Sequence, residues 1–306
     1  MKSSNPPKNH HYIPQFLLTQ WTVNGRLNRY TQPSPGKIIC HNKPTKATGF
    51  EQRLYEIPMC LASSAQDVET RVMQPIDDAA ATTHKMLLTE TGFNNLTVKH
   101  RIAWVTFILS LTLRTPDNFS AYLRTFNTID LSNTQHRELQ ESYEKTKLPN
   151  DPDNYEDYLT AAHPEEMQQG AFYAFKYSIE NKPLIHYITN MLWFVLEIPS
   201  GSFLLSDEPL LMSNGIKYSN GHIVIPISQT KLFLATNNML TYLQIKNLNE
   251  ELTRRVNMQI VSGARLFVAS RDANNNEFIR KYFYKQPRKS IIQYAEEHFS
   301  SGRTKS

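Results

Sequence analysis

Cysteine is nearly missing: only Cys40 and Cys60 occur in 306 residues, too few for a disulfide framework or a cysteine-built metal centre. A reducing, cytoplasmic setting is expected of such a chain. Long apolar runs are missing too. The longest, IAWVTFILSLTL at 102–113, lies between Arg101 and Arg114 and is well short of the ~20 residues a membrane span needs. It reads as a buried core helix, and no membrane partner is expected. The opening MKSSNPPKNHH has no apolar stretch of the signal-peptide kind, so no secretory leader is expected.

The familiar cofactor motifs are also missing. There is no P-loop, dinucleotide fingerprint, GxSxG elbow or kinase signature, which argues against ATP-driven phosphotransfer and NAD-linked redox chemistry. No nucleotide cofactor is expected. A Ser-His-Asp hydrolase has no local support. Glycine is scarce, 10 against 17 prolines, and with 40% apolar and 20% charged residues the composition is that of a globular chain.

What is present is an uneven charge distribution. The net charge is +5, yet residues 1–60 carry eight Lys/Arg against two acids and residues 254–306 carry eleven against four, leaving the middle acidic. Basic ends that meet in the fold would make a face for phosphate-bearing partners such as nucleic acid. Two separately solvated ends are the competing reading.

The apolar periodicity describes an α+β chain: a mainly helical core packed on a small, largely antiparallel sheet. One domain over 1–306 is expected, with an acidic surface excursion around 133–169. IPQFLLTQW reads as a short helix and GRLNRYTQ as a strand entered from the Asn24-Gly25 turn. Residues 32–49 read as loop and RLYEIP as another strand. Pro75 should kink or split a helix running from about residue 65 to 88. LTVKHRIAWVTFILSLTLR is the strongest helix and belongs at the core. Thr115-Pro116-Asp117 has the pattern that ends one helix and caps the next. Helix returns over 165–192. The runs WFVLEI, FLLSDEPLLM, HIVIPI and KLFLATN then read as antiparallel strands, followed by the helix LNEELTRRVNMQIVSGA and a strand RLFVAS.

Four groups of residues carry possible chemistry. Adjacent His10 and His11 in an extended segment point to opposite sides, so one metal hardly takes both. One of them as a general base or metal ligand is the functional reading; a ring pinning the N-terminal arm through the backbone is the other. Arg114 ends the apolar helix, where its planar fork suits a phosphate or a carboxylate, or the last helix carbonyls. Ser206-Asp207-Glu208-Pro209 closes an apolar strand, and there Asp207 and Glu208 suit Mg²⁺ or base chemistry as well as an ordinary turn. Glu69 and Asn257 are polar positions in otherwise apolar helices.

The stretch His10-His11-Tyr12-Ile13-Pro14-Gln15-Phe16-Leu17-Leu18, with Trp21, a Gly-Arg-Leu strand, Arg114-Thr115-Pro116 and Ser206-Asp207-Glu208-Pro209, resembles a bacterial domain-of-unknown-function family. That family's opening motif is His-His-Tyr-Val-Pro-Gln-Phe-Tyr-Leu, and its later motif is usually Ser-Asp-Asn-Pro. The resemblance covers nearly the whole chain. Glu208 stands where the family has asparagine, so no amide role carries over to it. The resemblance implies no activity, but it moves one of the two histidines, not both, toward a functional role and points to accessory cargo of a defence or toxin kind.

The expected function is a metal-assisted nuclease or related phosphodiester-cleaving effector. His11 or His10 activates water, Arg114 steadies the phosphate, and Asp207, with Glu208 and Glu69, holds Mg²⁺ or Mn²⁺. The alternative is a non-enzymatic binding or sensor protein whose His-His-Tyr-Pro arm is structural or ligand-binding.

Overall fold

The computed structural model describes residues 8–34, 36–56, 68–127, 134–155, 157–158, 175–198, 201–213 and 215–283. The chain opens on β1 (Asn9–His11), passes through α1 (Gln15–Leu18) and a single 3-10 turn, and buries Leu17, Leu18 and Trp21. Asn24 and Gly25, both at positive φ, turn it into β2 (Arg26–Ser34). β3 (Lys37–Pro44) returns as the hairpin partner of β2. A loop was expected over this second arm. Its lysines and prolines hide the strand, which is carried by the ladder to β2 and by Ile38 and Cys40 facing apolar neighbours.

β4 (Phe50–Gln52) then pairs antiparallel with β1, placing His10 opposite Glu51 and His11 opposite Phe50. The strand expected over RLYEIP is displaced to this earlier position, because Arg53 at φ 55° turns the chain away; residues 57–58 lie outside the described residues. Gly49 controls the approach of the arm. Its φ is +66°, and a Cβ there would lie 3.0 Å from Ile13 Cβ and 3.2 Å from Ile13 O. The Gly49 carbonyl accepts the N–H of both Tyr12 and Ile13, at 2.9 and 3.1 Å. Only glycine allows that conformation and that contact together.

The helical part begins with a π-type turn (Val68–Met73) leading into α2 (Gln74–Leu87), so Pro75 sits in a first turn and marks a boundary. α3 (Glu90–Asn94) and α4 (Val98–Leu111) follow, the latter held by a Thr97–His100 capping box. Next come α5 (Pro116–Asn127) and α6 (Thr134–Thr146). Of the acidic excursion, residues 133, 156 and 159–169 lie outside the described residues, as do residues 165–174 of the returning helix. Residues 175–179 are helical, and after a turn α7 (Lys182–Thr189) follows, capped by the Asn181 side chain.

Then come β5 (Leu192–Glu197), β6 (Leu205–Ser206), β7 (Leu211–Met212), β8 (His222–Pro226) and β9 (Lys231–Thr236). α8 (Met239–Lys246), α9 (Glu250–Gly263), β10 (Val268–Ser270) and α10 (Asn276–Tyr282) complete the order among the described residues. Among the described residues the strands form two four-stranded antiparallel sheets, β3-β2-β10-β6 and β5-β9-β8-β7, beside the two-stranded β1-β4.

Alternation along the strands explains the layers. Ile223, Ile225, Phe233 and Ala235 face a core shared with α1, α2, α4 and α7, whereas Val224, Leu232 and Leu234 face one shared with α9 and α10. α4 is apolar on most sides and buries Trp104, Val105, Phe107 and Ile108 completely. A third, smaller cluster of Tyr55, Val68, Val72, Met73, Leu113 and Phe119 lies beside the start of α2 and of α5. The α+β class read from the sequence is the class of the structure.

His84, on the last turn of α2, lies between Phe16 and Trp104 at ring distances of 5.3 and 5.9 Å. Its Nε2–H donates to the Ile227 carbonyl at 2.7 Å, and burial lowers its pKa from 6.5 to about 4. The folded state therefore holds a neutral ring, and acidification protonates the unfolded chain first. Stability should fall by on the order of 3 kcal/mol as pH drops from the unfolded value toward the folded one. Urea midpoints at several pH values should show a shallower slope in His84→Gln; an unchanged slope refutes the assignment.

Candidate functional site

The β1–β4 ladder separates the two histidines, as an extended strand must. His10 has no exposed surface. Its Nδ1 accepts the Tyr55 N–H at 2.9 Å, and the rings stack at 5.6 Å with a 10° interplanar angle. His11 packs at a tilt against Phe50. Burial lowers the pKa of His11, against backbone hydrogen bonds at Thr45 and Asn9 that raise it. The His11 Nε2 is buried without a hydrogen-bond partner.

Tyr55 passes the connection inward. Its hydroxyl donates to the Arg114 carbonyl at 2.6 Å, and burial raises its pKa well above the ordinary value. Arg114 is itself fully buried. Its two terminal nitrogens donate to Asp77 Oδ1 at 2.8 and 2.9 Å, and its Cζ lies 5.6 Å from the Phe107 ring. The guanidinium thus serves the first turn of α2 rather than the end of its own helix. Asp77 keeps 23% of its side chain exposed, and its carboxyl is pushed up by burial and pulled back by Arg114.

Glu69, in the π-type turn just before α2, completes this cluster. Burial raises its pKa from 4.5 to about 7; the Asp77 charge adds to the rise and Arg114 opposes it. Three polar atoms here are buried with no hydrogen-bond partner: Glu69 Oε2, Arg114 Nε and Thr115 Oγ1. Thr115 stands at the expected position just before α5, its backbone carbonyl accepting the Phe119 N–H at 2.9 Å, but its hydroxyl makes no capping bond. Each such atom costs about 1–3 kcal/mol, and each asks for a partner. Tyr55 thereby links His10 to Arg114, and Arg114 bonds Asp77; Glu69 feels the Asp77 and Arg114 charges, though among the described residues no hydrogen bond joins it to either. Neither Tyr55 nor Asp77 stood out in the sequence.

Asp207 and Glu208 occupy a different construction, the corner where the chain leaves β6 in one sheet for β7 in the other. Asp207 is buried, and its carboxylate accepts the N–H of Arg265 at 3.1 and 3.2 Å and of Phe267 at 3.0 Å. Burial raises its pKa from 3.8 to about 6, against these backbone donors. Glu208 pairs with Arg265 Nε at 3.3 Å, and Arg265 Nη1 lies 3.8 Å from Asp117. Arg265 so draws the Ser206–Pro209 corner toward Asp117 in the first turn of α5, three residues past Arg114. Tyr12 packs on Phe267 at 6.3 Å, and burial together with the Asp207 charge raises the pKa of its hydroxyl.

Among the described residues no hydrogen bond or ion pair joins Asp207 to His10, His11, Glu69 or Arg114, and no group of three His, Cys, Asp or Glu side chains could hold a metal ion. The structure therefore links His10 to Arg114 through Tyr55 and exposes Glu69 to the Arg114 and Asp77 charges, while His11 faces the other side of the arm and Asp207 and Glu208 engage the loop before β10. Asn257 is also structural in its contacts: it accepts the Leu204 N–H and donates to the Ser202 carbonyl, both at 2.8 Å.

The Glu69 carboxyl should titrate near pH 7 in carboxyl-detected NMR, and Asp77→Asn should lower that value by removing a like charge. A raised carboxyl pKa stabilises the fold below about 4.5, a contribution lost as pH rises through 7. Glu69→Gln should therefore match or exceed the parent chain in stability at pH 8. A Glu69 titration near 4.5 would remove this carboxyl from consideration as a proton-transfer group.

No curated protein and no solved structure matches the chain. Among the described residues no helix is long and apolar enough to cross a membrane. A family model described as a protein of unknown function (DUF4238) matches residues 9–274, a span that takes in the histidine pair, Glu69, Asp77, Arg114, Asp207 and Arg265. The chain belongs to the DUF4238 family.

Proposed function

We propose that the protein is a phosphodiester-cleaving hydrolase of nucleic acid, with its reacting groups at Glu69, Asp77 and Arg114. The observation that carries this reading is a fully buried guanidinium with buried, unbonded polar atoms on Glu69, Arg114 and Thr115; burial and the Asp77 charge push the Glu69 carboxyl up to about 7. A carboxyl in that range is matched to proton transfer at neutral pH. A guanidinium held at a fixed place stabilises the charge that develops on a phosphoryl group.

In the proposed step Glu69 takes a proton from water as the water oxygen bonds to phosphorus. The ester P–O bond breaks, and Glu69 returns the proton to the departing oxygen. Arg114 Nε faces the extra negative charge. His10 and Tyr55 act as positioning residues, holding the Arg114 backbone. Mg²⁺ or Mn²⁺ remains the proposed cofactor. Asp77 Oδ2 lies outside the Arg114 bonds, and with the substrate's own phosphate it is the kind of donor set magnesium takes.

The β2–β3 hairpin and the turn after it supply the grip. Residues 26–50 hold Arg26, Arg29, Lys37, Lys43 and Lys46 and no acid, and Arg29 donates to Ala47 O beside the N-terminal arm. Such a strip favours a polyanion. A cytoplasmic effector of a defence or toxin system is the proposed setting.

The second reading, a binding or sensor protein, is favoured by one observation: His10, Tyr55 and Arg114 have no exposed surface, as in a polar network that only holds the arm. One assay separates the two. Labelled RNA and DNA are incubated with the chain in Mg²⁺, Mn²⁺ or chelator, beside Glu69→Gln and Asp207→Asn. Cleavage should fall by ~100-fold or more in Glu69→Gln with melting temperature retained, while Asp207→Asn should lower melting temperature rather than the rate per folded molecule. Substrate left intact under every condition by well-folded protein sinks the hydrolase reading and leaves the sensor.

A further inference from the structure

A groove of about 1060 Å³ lies between the N-terminal half of α4, α7, the first residues of β5 and Met239. The length of α4, 14 residues or about 21 Å, separates its entrance at Val98 from the Arg114 end of the helix. The groove is independent of the hydrolase reading. Its volume is at the upper end of sites that enclose small molecules.

The walls are aliphatic and uncovered. Val98, Ile102, Leu192 and Met239 are between 41% and 65% exposed, although they sit together on one concavity. An apolar concavity of this kind marks a place where something binds.

The floor is cationic. The Arg101 Nε donates to the Thr189 carbonyl at 2.9 Å and its Nη2 to the Met191 carbonyl at 2.7 Å, and its Cζ lies 4.1 Å over the Trp193 ring. These contacts hold the guanidinium still and leave Nη1 outside them. Among the described residues no carboxylate pairs with Arg101, and Glu180, the acid on the groove, lies 3.8 Å from Lys176.

Further features add positive potential. Lys182 occupies the first turn of α7, and Val98 opens α4, so the N-terminal ends of both helices border the groove, where the helix dipole favours an anion. Lys182 at such an end is locally unfavourable without one. His186 also lines the wall, next to the Asn190 amide. Finally Thr189, 8% exposed, lines the groove with its Oγ1 unpartnered.

We infer that this groove binds an aliphatic carboxylate, with the carboxylate on Arg101 and the hydrocarbon along Val98, Ile102, Leu192 and Met239. The lining is richer in branched and linear aliphatic chains than in rings, which suits an alkyl body. The fixed guanidinium suits a planar two-oxygen head.

Calorimetric titration of the full chain with sodium decanoate, kept below micelle formation, tests this. Decanol and acetate are the head-less and tail-less controls. Decanoate should bind saturably, decanol at least ~tenfold more weakly, and acetate not at all. Ile102→Glu, at an exposed wall position, should weaken decanoate at least ~tenfold with an unchanged melting temperature. Arg101→Gln should bring decanoate down to the level of decanol; if that variant fails to fold, Ile102→Glu decides alone. Absence of decanoate binding, equal binding of decanol, or full binding by Ile102→Glu overturns the inference. A dimer that Ile102→Glu converts to monomer, with no decanoate binding, overturns it as well and assigns the groove to a second copy of the chain.

Discussion

A guanidinium with no contact to water must be answered by the protein around it, and the Arg114 surroundings are built by that requirement. Burying an ion costs several kcal/mol even after relaxation. Asp77 supplies the opposite charge, Phe107 supplies a π face, and Tyr55 holds the backbone of the same residue. Those partners stand on α2, on α4 and in the turn after β4, and Tyr55 in turn fixes His10. Three stretches of chain thereby meet at Arg114, and a fourth, the arm, joins them through Tyr55. A buried pair of this kind adds little net stability compared with apolar packing, so its contribution is best understood as specifying where the arm, the helix starts and Glu69 lie.

The second polar construction, at Asp207, does a different thing with a buried carboxylate. It stitches the corner between the two sheets to the segment that leads into β10, through backbone N–H donors. Glu208 and Arg265 continue the stitch to α5. The two constructions approach one another across Asp117 and Tyr12 without sharing a hydrogen bond among the described residues. One carboxylate is fully occupied by the fold; the other, Glu69, is left with an oxygen unbonded.

Legibility in the sequence followed the range of the interactions. α4 was readable because a dense apolar run of that length has few other fates, and β5, β8 and β9 were readable from short β-branched and aromatic runs between turns. β3 was missed because its lysines and prolines describe a loop, while its strand character comes from the β2 ladder. α8 was missed because Met239, Leu240 and Leu243 face outward, so its apolar residues mark no buried stripe. Within the site, His10, Arg114 and Glu69 were nameable from residue type and position. Asp77 and Tyr55 were not, since they lie 37 and 59 positions from Arg114 and nothing local distinguishes them. Pro75 just ahead of Asp77 was the nearest signal, as an acid in the first turn of a helix is a charge placed where the dipole favours it.

The way the N-terminal arm is held also sets an order in time. β1 has no partner until Phe50–Gln52 exists, its approach depends on the bend at Gly49, and His10 reaches its final surroundings only through Tyr55 and Arg114. During synthesis β1 emerges before the segments that hold it, and it is thus among the last elements to settle. Long-range closure of this sort is slow, and through that interval the two imidazoles remain in water.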